Sequence, residues 1–590
     1  MRGVGWITGC ALALLTAGPW ASRPAQADAI VVTRAMQAST IAEIFVEPAQ
    51  VRVALEIGPG DLRAFALILP DDSYQRLGHA PRPVAERHAE FLREGFLVHA
   101  DGVPLAGTLT LDVGRRVPRD EITGEPLPVA TDGGEPVLRL ELRYALATRP
   151  RTLTFQQPRR DGQPAASIGF VAYHRGLAVN DPRYFLAKVT LDLDWKDPWY
   201  SRFRHRNLAR KFAAPLSVYL YVEPFEVRQE VVLRPRDLQH WTDLGLEGRD
   251  ALPAGAQAEV IRKVVAFLQT RNPLTIDGQV VERRLDRAHF IRRTLRTTGI
   301  IDPPEDLDLA SATLGVIFYV PREARPERVA TRWELWNPQI QVVPAAASDE
   351  AGALPTRLTP EAPELVWQNF LRGPSRYALT AVPTPPGSRS WPLPLASLLV
   401  LAVGLWLARR ARATSRARVL VTLVVTCLVA ALLWAVLPLP MSLPGTPGAQ
   451  VTDAESSAVL AGLLHNTYRS FDRREDELVY DRLARSVSGA LLQQAFLEIR
   501  RRMELENQGG ARVKVRGVRL LSSETKPLEA MQGFAGTCTW DVVGSVGHWG
   551  HVHQRANRYT ADVRVQAVDG VWKLTRLDVT DEQRMGPGAR

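Results

Sequence analysis

The feature that most constrains this chain is a self-similarity at an offset of 176 residues. Val46-Glu47-Pro48-Ala49-Gln50-Val51-Arg52 recurs as Val222-Glu223-Pro224-Phe225-Glu226-Val227-Arg228. Pro59, Asp61 and Leu62 recur as Pro235, Asp237 and Leu238, Phe91-Leu92 as Phe267-Leu268, Asp101-Gly102 as Asp277-Gly278, and Arg149-Pro150 as Arg325-Pro326. Chance seldom holds one register over a hundred residues, so two tandem copies of one domain are expected. At 590 residues the chain is also too long for a single core.

Each copy reads as a strand-rich, sandwich-like domain with one inserted helix. Val51, Val53, Leu55 and Ile57 alternate with polar or small residues, the pattern of a half-buried strand. Val260, Val264, Phe267 and Leu268 recur at helical spacing, with Ala85 to Arg93 as their counterpart. Asp-Gly between extended segments is a hairpin turn, because glycine accepts positive φ. Leu138, Leu140, Leu142 and Tyr144 form a further alternating strand, echoed by Leu314 to Tyr319. We place the first copy at 28–205, the second at 206–345, and a linker at 346–390.

Three apolar stretches suggest an address. Residues 1–27 read as a secretory signal peptide: Arg2, an apolar run from Trp6 to Ala17, and the small-x-small site Ala25-Gln26-Ala27. Residues 391–408 and 419–437 carry no charge and are about long enough to cross a hydrocarbon core of roughly 30 Å. Between them, 409–418 holds five arginines: Arg409, Arg410, Arg412, Arg416 and Arg418. Positive charge favours the cytoplasmic side. A two-helix transmembrane hairpin is therefore expected, set in the inner (plasma) membrane with both flanks on the periplasmic face. The formal net charge of +10 would suit nucleic acid in a cytosolic protein. With this address it instead points to the membrane, or to a protein partner in the periplasm, and away from nucleic acid. Of three cysteines only Cys538 lies in a non-membrane, mature region, so no disulfide framework is expected.

After a proline- and glycine-rich linker at 438–454, residues 455–590 read as an α+β domain. Val459, Leu463, Thr467 and Phe471 share a helical face, and further helices cover Glu475 to Val487 and Ala490 to Glu506. Alternating strands follow, ending in Asp569-Gly570-Val571-Trp572-Lys573-Leu574. Helices first, then a meander with this closing strand, resemble the cone-shaped nuclear transport factor 2-like class over roughly residues 455–582. That class includes both enzymes and non-enzymatic domains, so the resemblance implies a fold and no activity. As a whole the chain is similar to a family of uncharacterised exported bacterial membrane-anchored proteins, which implies an address alone.

Chemistry is sparsely signalled. His548, His551 and His553 are the candidate divalent-metal ligands: 551 and 553 share a face on a strand, and 548 reaches them if the glycines between bend. The alternative is a strand pair whose histidines hydrogen-bond on a polar face. Asp192, Asp194 and Asp197 have a spacing open to calcium, or to an amphipathic strand with its acids in water. Basic runs at Arg202–Arg206 and Arg283–Arg296 suit anionic lipid or a solvated face. No phosphate loop, nucleophile elbow, HExxH or paired CxxC is present, and no cofactor motif. The expected role is thus a membrane-anchored periplasmic binding or scaffold protein. The alternative is a metal-binding protein or an enzyme working in the cone domain.

Overall fold

The computed structural model describes residues 34–117, 134–210, 214–293, 298–372, 377–383, 391–393, 395–411, 416–436, 439–441, 451–506, 512–528, 532–548 and 551–585. The expected signal peptide, 1–27, lies outside them. One compact unit holds the chain up to Gly373 and the other most of the chain from Pro374 on.

In the first unit, Gln50–Ile57 buries every second residue, as its alternation requires. It pairs antiparallel with Thr40–Val46 and with Glu135–Ala145. Thr40–Val46 pairs parallel with Ile168–His174, and Gly107–Arg116 closes the far edge. A second sheet runs in the order Arg202–Phe203, Lys188–Asp192, Thr152–Gln156, Leu97–Ala100, Val103–Pro104. Val53, Leu55, Leu140 and Leu142 meet Val98, Leu153, Phe155 and Leu191 in one core. This is a sandwich.

The same plan follows 176 residues later. Ser217–Val222 pairs antiparallel with Glu226–Leu233 and parallel with Val343–Asp349. Gln50–Ile57, Val103–Pro104, Thr152–Gln156 and Lys188–Asp192 correspond at that offset to Glu226–Leu233, Gln279–Val280, Arg328–Arg332 and Glu364–Gln368. The turns repeat down to single hydrogen bonds. Asp101 and Gly102 have φ of 48° and 86°, Asp277 and Gly278 of 50° and 83°. Two successive positive φ values make the tight hairpin turn that Asp-Gly favours. The Asp101 carboxylate accepts from the N–H groups of Arg151 and Thr152, and Asp277 from those of Glu327 and Arg328.

Three expectations change here. The segment 346–390 opens in strands rather than linker: Val343–Asp349, Gly352–Leu358 and Glu364–Gln368 complete the second copy's sheets, so that copy runs well past 345. The first copy likewise extends past 205, since Leu208 sits in its core. The single inserted helix holds in the second copy as Gln257–Gln269, with Val260, Val264 and Leu268 buried on one face. In the first copy prolines at 59, 70, 81 and 83 cut the region into Pro59–Ile68, Asp71–Arg76 and Val84–Glu90, the last running on directly into the wider turn Phe91–Gly95.

The transmembrane hairpin is corrected. The apolar segments do form helices, Leu395–Ala411 and Arg416–Val436, and Gly404 lies directly against the Thr426 side chain. However, among the described residues no helix is long and apolar enough to cross a membrane. The first apolar run is divided, because Trp391–Leu393 leaves the helix to pair with Leu439–Met441. The helix that remains ends in Arg409 and Arg410. Its uncharged part, Leu395 to Ala408, spans roughly 21 Å at about 1.5 Å per residue, short of a core of about 30 Å.

The rest of the second unit is three helices and a four-stranded sheet. Asp453–Ser470 opens with a capping box, Thr452 and Glu455 satisfying each other's backbone N–H groups. Asp476–Leu483 and Ala490–Glu506 follow. Arg512–Pro527, Gly533–His548, His551–Val568 and Val571–Met585 then lie side by side in chain order. Trp572 and Leu574 of the closing strand pack with Leu460, Leu463 and Trp540.

Candidate functional site

The histidines singled out from sequence lie at one hairpin end: His548 closes one strand and His551 opens the next, with His553 further along it. Their side chains, and Trp549-Gly550, lie outside the described residues. Among the described residues no group of three or more His, Cys, Asp or Glu is placed to hold a metal ion.

The three aspartates at 192, 194 and 197 do not converge. Asp192 pairs with Arg204 at 2.9 Å. Asp194 accepts from the backbone N–H groups of Lys196 and Asp197. Asp197 turns to Arg234 in the second copy. The basic runs divide in the same way. Arg283 is buried and donates to the carbonyls of Leu268, Gln269 and Arg271, the open end of the Gln257–Gln269 helix. Arg292, by contrast, is exposed and pairs with Glu305.

A large concavity lies between the two sandwiches, a cleft of about 1380 Å³. One wall is the outward face of the first copy's large sheet, bearing Glu43, Phe45, Glu56, Arg139, Glu141 and Tyr173. The opposite wall carries Ser217, Tyr219, Val232 and Ile291. Each wall has an apolar patch of its own. Phe45 and Tyr173 stack at 5.1 Å beside Ile41 and Val171, and the Arg52 guanidinium lies 3.8 Å above the Phe45 ring. On the other side Val232, Ile291 and Ile317 cluster with Tyr219 and Ile300.

Ion pairs fix the two copies against each other, one of them centred on a buried arginine. Arg234, 1% exposed, donates to both carboxylate oxygens of Asp197 (2.8 and 3.1 Å), to both of Asp237 (2.7 and 2.8 Å), and to the Ala310 carbonyl. Burial alone would raise the Asp197 pKa, but the bonds from Arg234 outweigh it and hold the carboxyl below its usual range. Trp199 lies between two guanidinium groups, Arg210 at 3.9 Å and Arg234 at 5.5 Å from its ring centre. Burial, with the Arg234 charge, lowers the Arg210 pKa to about 10. A second tie is bidentate: Arg175 to Asp308 at 2.7 and 2.8 Å. Partners so far apart in sequence left no motif to find.

Next to Arg175, His174 is fully buried. Its Nδ1 lies 2.7 Å from the Ser201 hydroxyl, which also accepts the Asp194 N–H. The ring meets Trp195 edge-on at 4.4 Å, and Nε2 has no hydrogen-bond partner. Desolvation, reinforced by the Arg175 charge and opposed by Asp194, lowers its pKa to about 4. The imidazole is therefore neutral at physiological pH.

No protein-family model matches the chain, and no curated protein matches it.

Proposed function

We propose that the chain is a non-enzymatic binding protein that holds an extended segment of a protein partner in the cleft between its tandem sandwiches. The observation that carries this is the cleft itself, about 1380 Å³ and walled on both sides by an apolar patch bordered by charge. Small-molecule pockets run from roughly 300 to 1,000 Å³, so this one has room for several residues of peptide. Ion pairs at the junction support a preformed site, which spares an occupant the entropy of ordering it. Half-buried Phe45, backed by buried Tyr173, and half-buried Tyr219 supply rigid aromatic contact area of the kind that dominates binding energy. The leader pattern at residues 1–27 supports an exported address, and the partner would be met there. The helices-then-meander order of the C-terminal unit supports its cone-like assignment.

The test is site-specific photocrosslinking in the full chain, with the photoreactive residue in place of Tyr219. The expected result is an adduct to one protein of discrete mass, reduced at least about tenfold by Phe45→Ala with Tyr173→Ala. Circular dichroism confirms that the variant is folded. Absence of an adduct, or an adduct that the variant leaves unchanged, overturns the proposal.

A further inference from the structure

Asp308 faces the cleft, while its partner Arg175 also lines a second, smaller cavity of about 230 Å³. Two cations from each copy meet around that cavity: Arg175 and Lys196 from the first, Arg236 and Arg249 from the second. Glu247 and Asp250 are the acids on its wall, so the lining carries two more cations than acids, and Asp308 offsets the Arg175 charge from outside it. We propose that this cavity is a binding site for a doubly charged oxyanion of the phosphate class, bridging the two copies.

Three observations support it besides the charge. Arg175 is held in place by its bidentate bond to Asp308, so one cation is positioned in advance. Arg236 follows Arg234, whose bonds to Asp197 and Asp237 anchor the turn that carries it. Among the described residues, Lys196, Arg236 and Arg249 have no carboxylate within 4.0 Å. Glu247 and Asp250 on the wall, and Asp197 and Asp237 near Arg236, offset part of their mutual repulsion, and an anion would relieve the remainder. The room suffices for a phosphate and a few waters, each water taking about 30 Å³. At Gly248, with φ of 71°, no atom lies within 4 Å of where a side chain would begin, so the cavity is open on that side.

The test uses the full chain and inorganic phosphate, with chloride at matched ionic strength as reference. Saturating phosphate should raise the unfolding midpoint by about 2 °C or more and broaden the phosphate ³¹P resonance. Arg236→Gln with Arg249→Gln should abolish both effects. If that variant does not fold, Lys196→Gln, an exposed position, should weaken phosphate binding at least about threefold. Glycerol 1-phosphate distinguishes the source: equal binding indicates an esterified phosphate as ligand, and binding of inorganic phosphate alone indicates the free anion. No rise over chloride in the parent chain, or an undiminished rise in the variant, overturns the proposal.

Discussion

His174 makes the first unit acid-sensitive in a way that one substitution isolates. Its ring is neutral and fully buried in the folded chain, with a pKa lowered to about 4 by desolvation and by Arg175. In the unfolded chain the pKa is about 6.5. Between those values the unfolded state binds more protons than the folded one, so stability is present above about pH 6.5 and falls as pH drops toward about 4. For a shift of that size, linkage gives a loss of about 2 kcal/mol between about pH 7.5 and pH 5 from this ring alone. Carboxylates titrate in the same range and obscure the effect in the parent chain. His174→Phe keeps an aromatic ring, somewhat larger, removes the titration and loses the bond to Ser201, together a cost of about 1–3 kcal/mol that does not vary with pH. The assay is urea unfolding followed by tryptophan fluorescence at several pH values, for both proteins. The difference in stability between parent and variant should shrink by about 2 kcal/mol, or reverse, from about pH 7.5 to pH 5. Parallel pH profiles would refute the assignment of a depressed pKa to this ring.

Two further outcomes are expected. Arg234→Met strips two half-buried carboxylates of their shared cation and should destabilise the first unit by about 2–4 kcal/mol; adding Asp197→Asn should recover part of the loss, as a double-mutant cycle in urea would measure. Asp101→Ala and Asp277→Ala each remove a carboxylate that caps two backbone N–H groups and place alanine at positive φ, so each should cost about 1–3 kcal/mol, and their effects should add because they lie in different copies.

How far the fold could be read depended on whether its cause was local. Val51 to Ile57 declares its strand because one face is buried, and Asp-Gly declares its turn because both residues take positive φ. The closing strands have no such marker. Ile168–His174 is buried at every position, so its residues do not alternate. Val343–Asp349 carries a proline and three successive alanines among its seven residues, which reads as linker until its parallel partner is known. The apolar runs marked two helices correctly but not where they end. Hydropathy does not reveal that Trp391–Leu393 pairs as a strand, nor that the described helix is too short to span. The cleft was illegible for another reason. Its walls are the outward faces of two sheets, whose apolar residues such as Tyr173 and Val232 read in sequence as core positions, and its fasteners join residues as distant as Arg175 and Asp308. Of the residues weighed as site candidates, Arg292 of the second basic run lines the cleft, and Asp197 anchors the junction beside it.

The parallel strand pairs have a consequence for how the chain is made. Thr40 must wait for Ile168, and Val218 for Ala345, so each large sheet stays open until more than a hundred further residues have appeared. Contacts so distant in sequence slow folding, and an unpaired strand edge is exposed meanwhile. Duplication adds a competitor, since Val343–Asp349 has the geometry to complete either Thr40–Val46 or Ser217–Val222. Order of emergence resolves the choice: the first sandwich can close on its own last strand before the second copy's closing strand exists. Slowing the first copy, or exchanging the two closing strands, should therefore produce swapped dimers and aggregates rather than a merely less stable monomer.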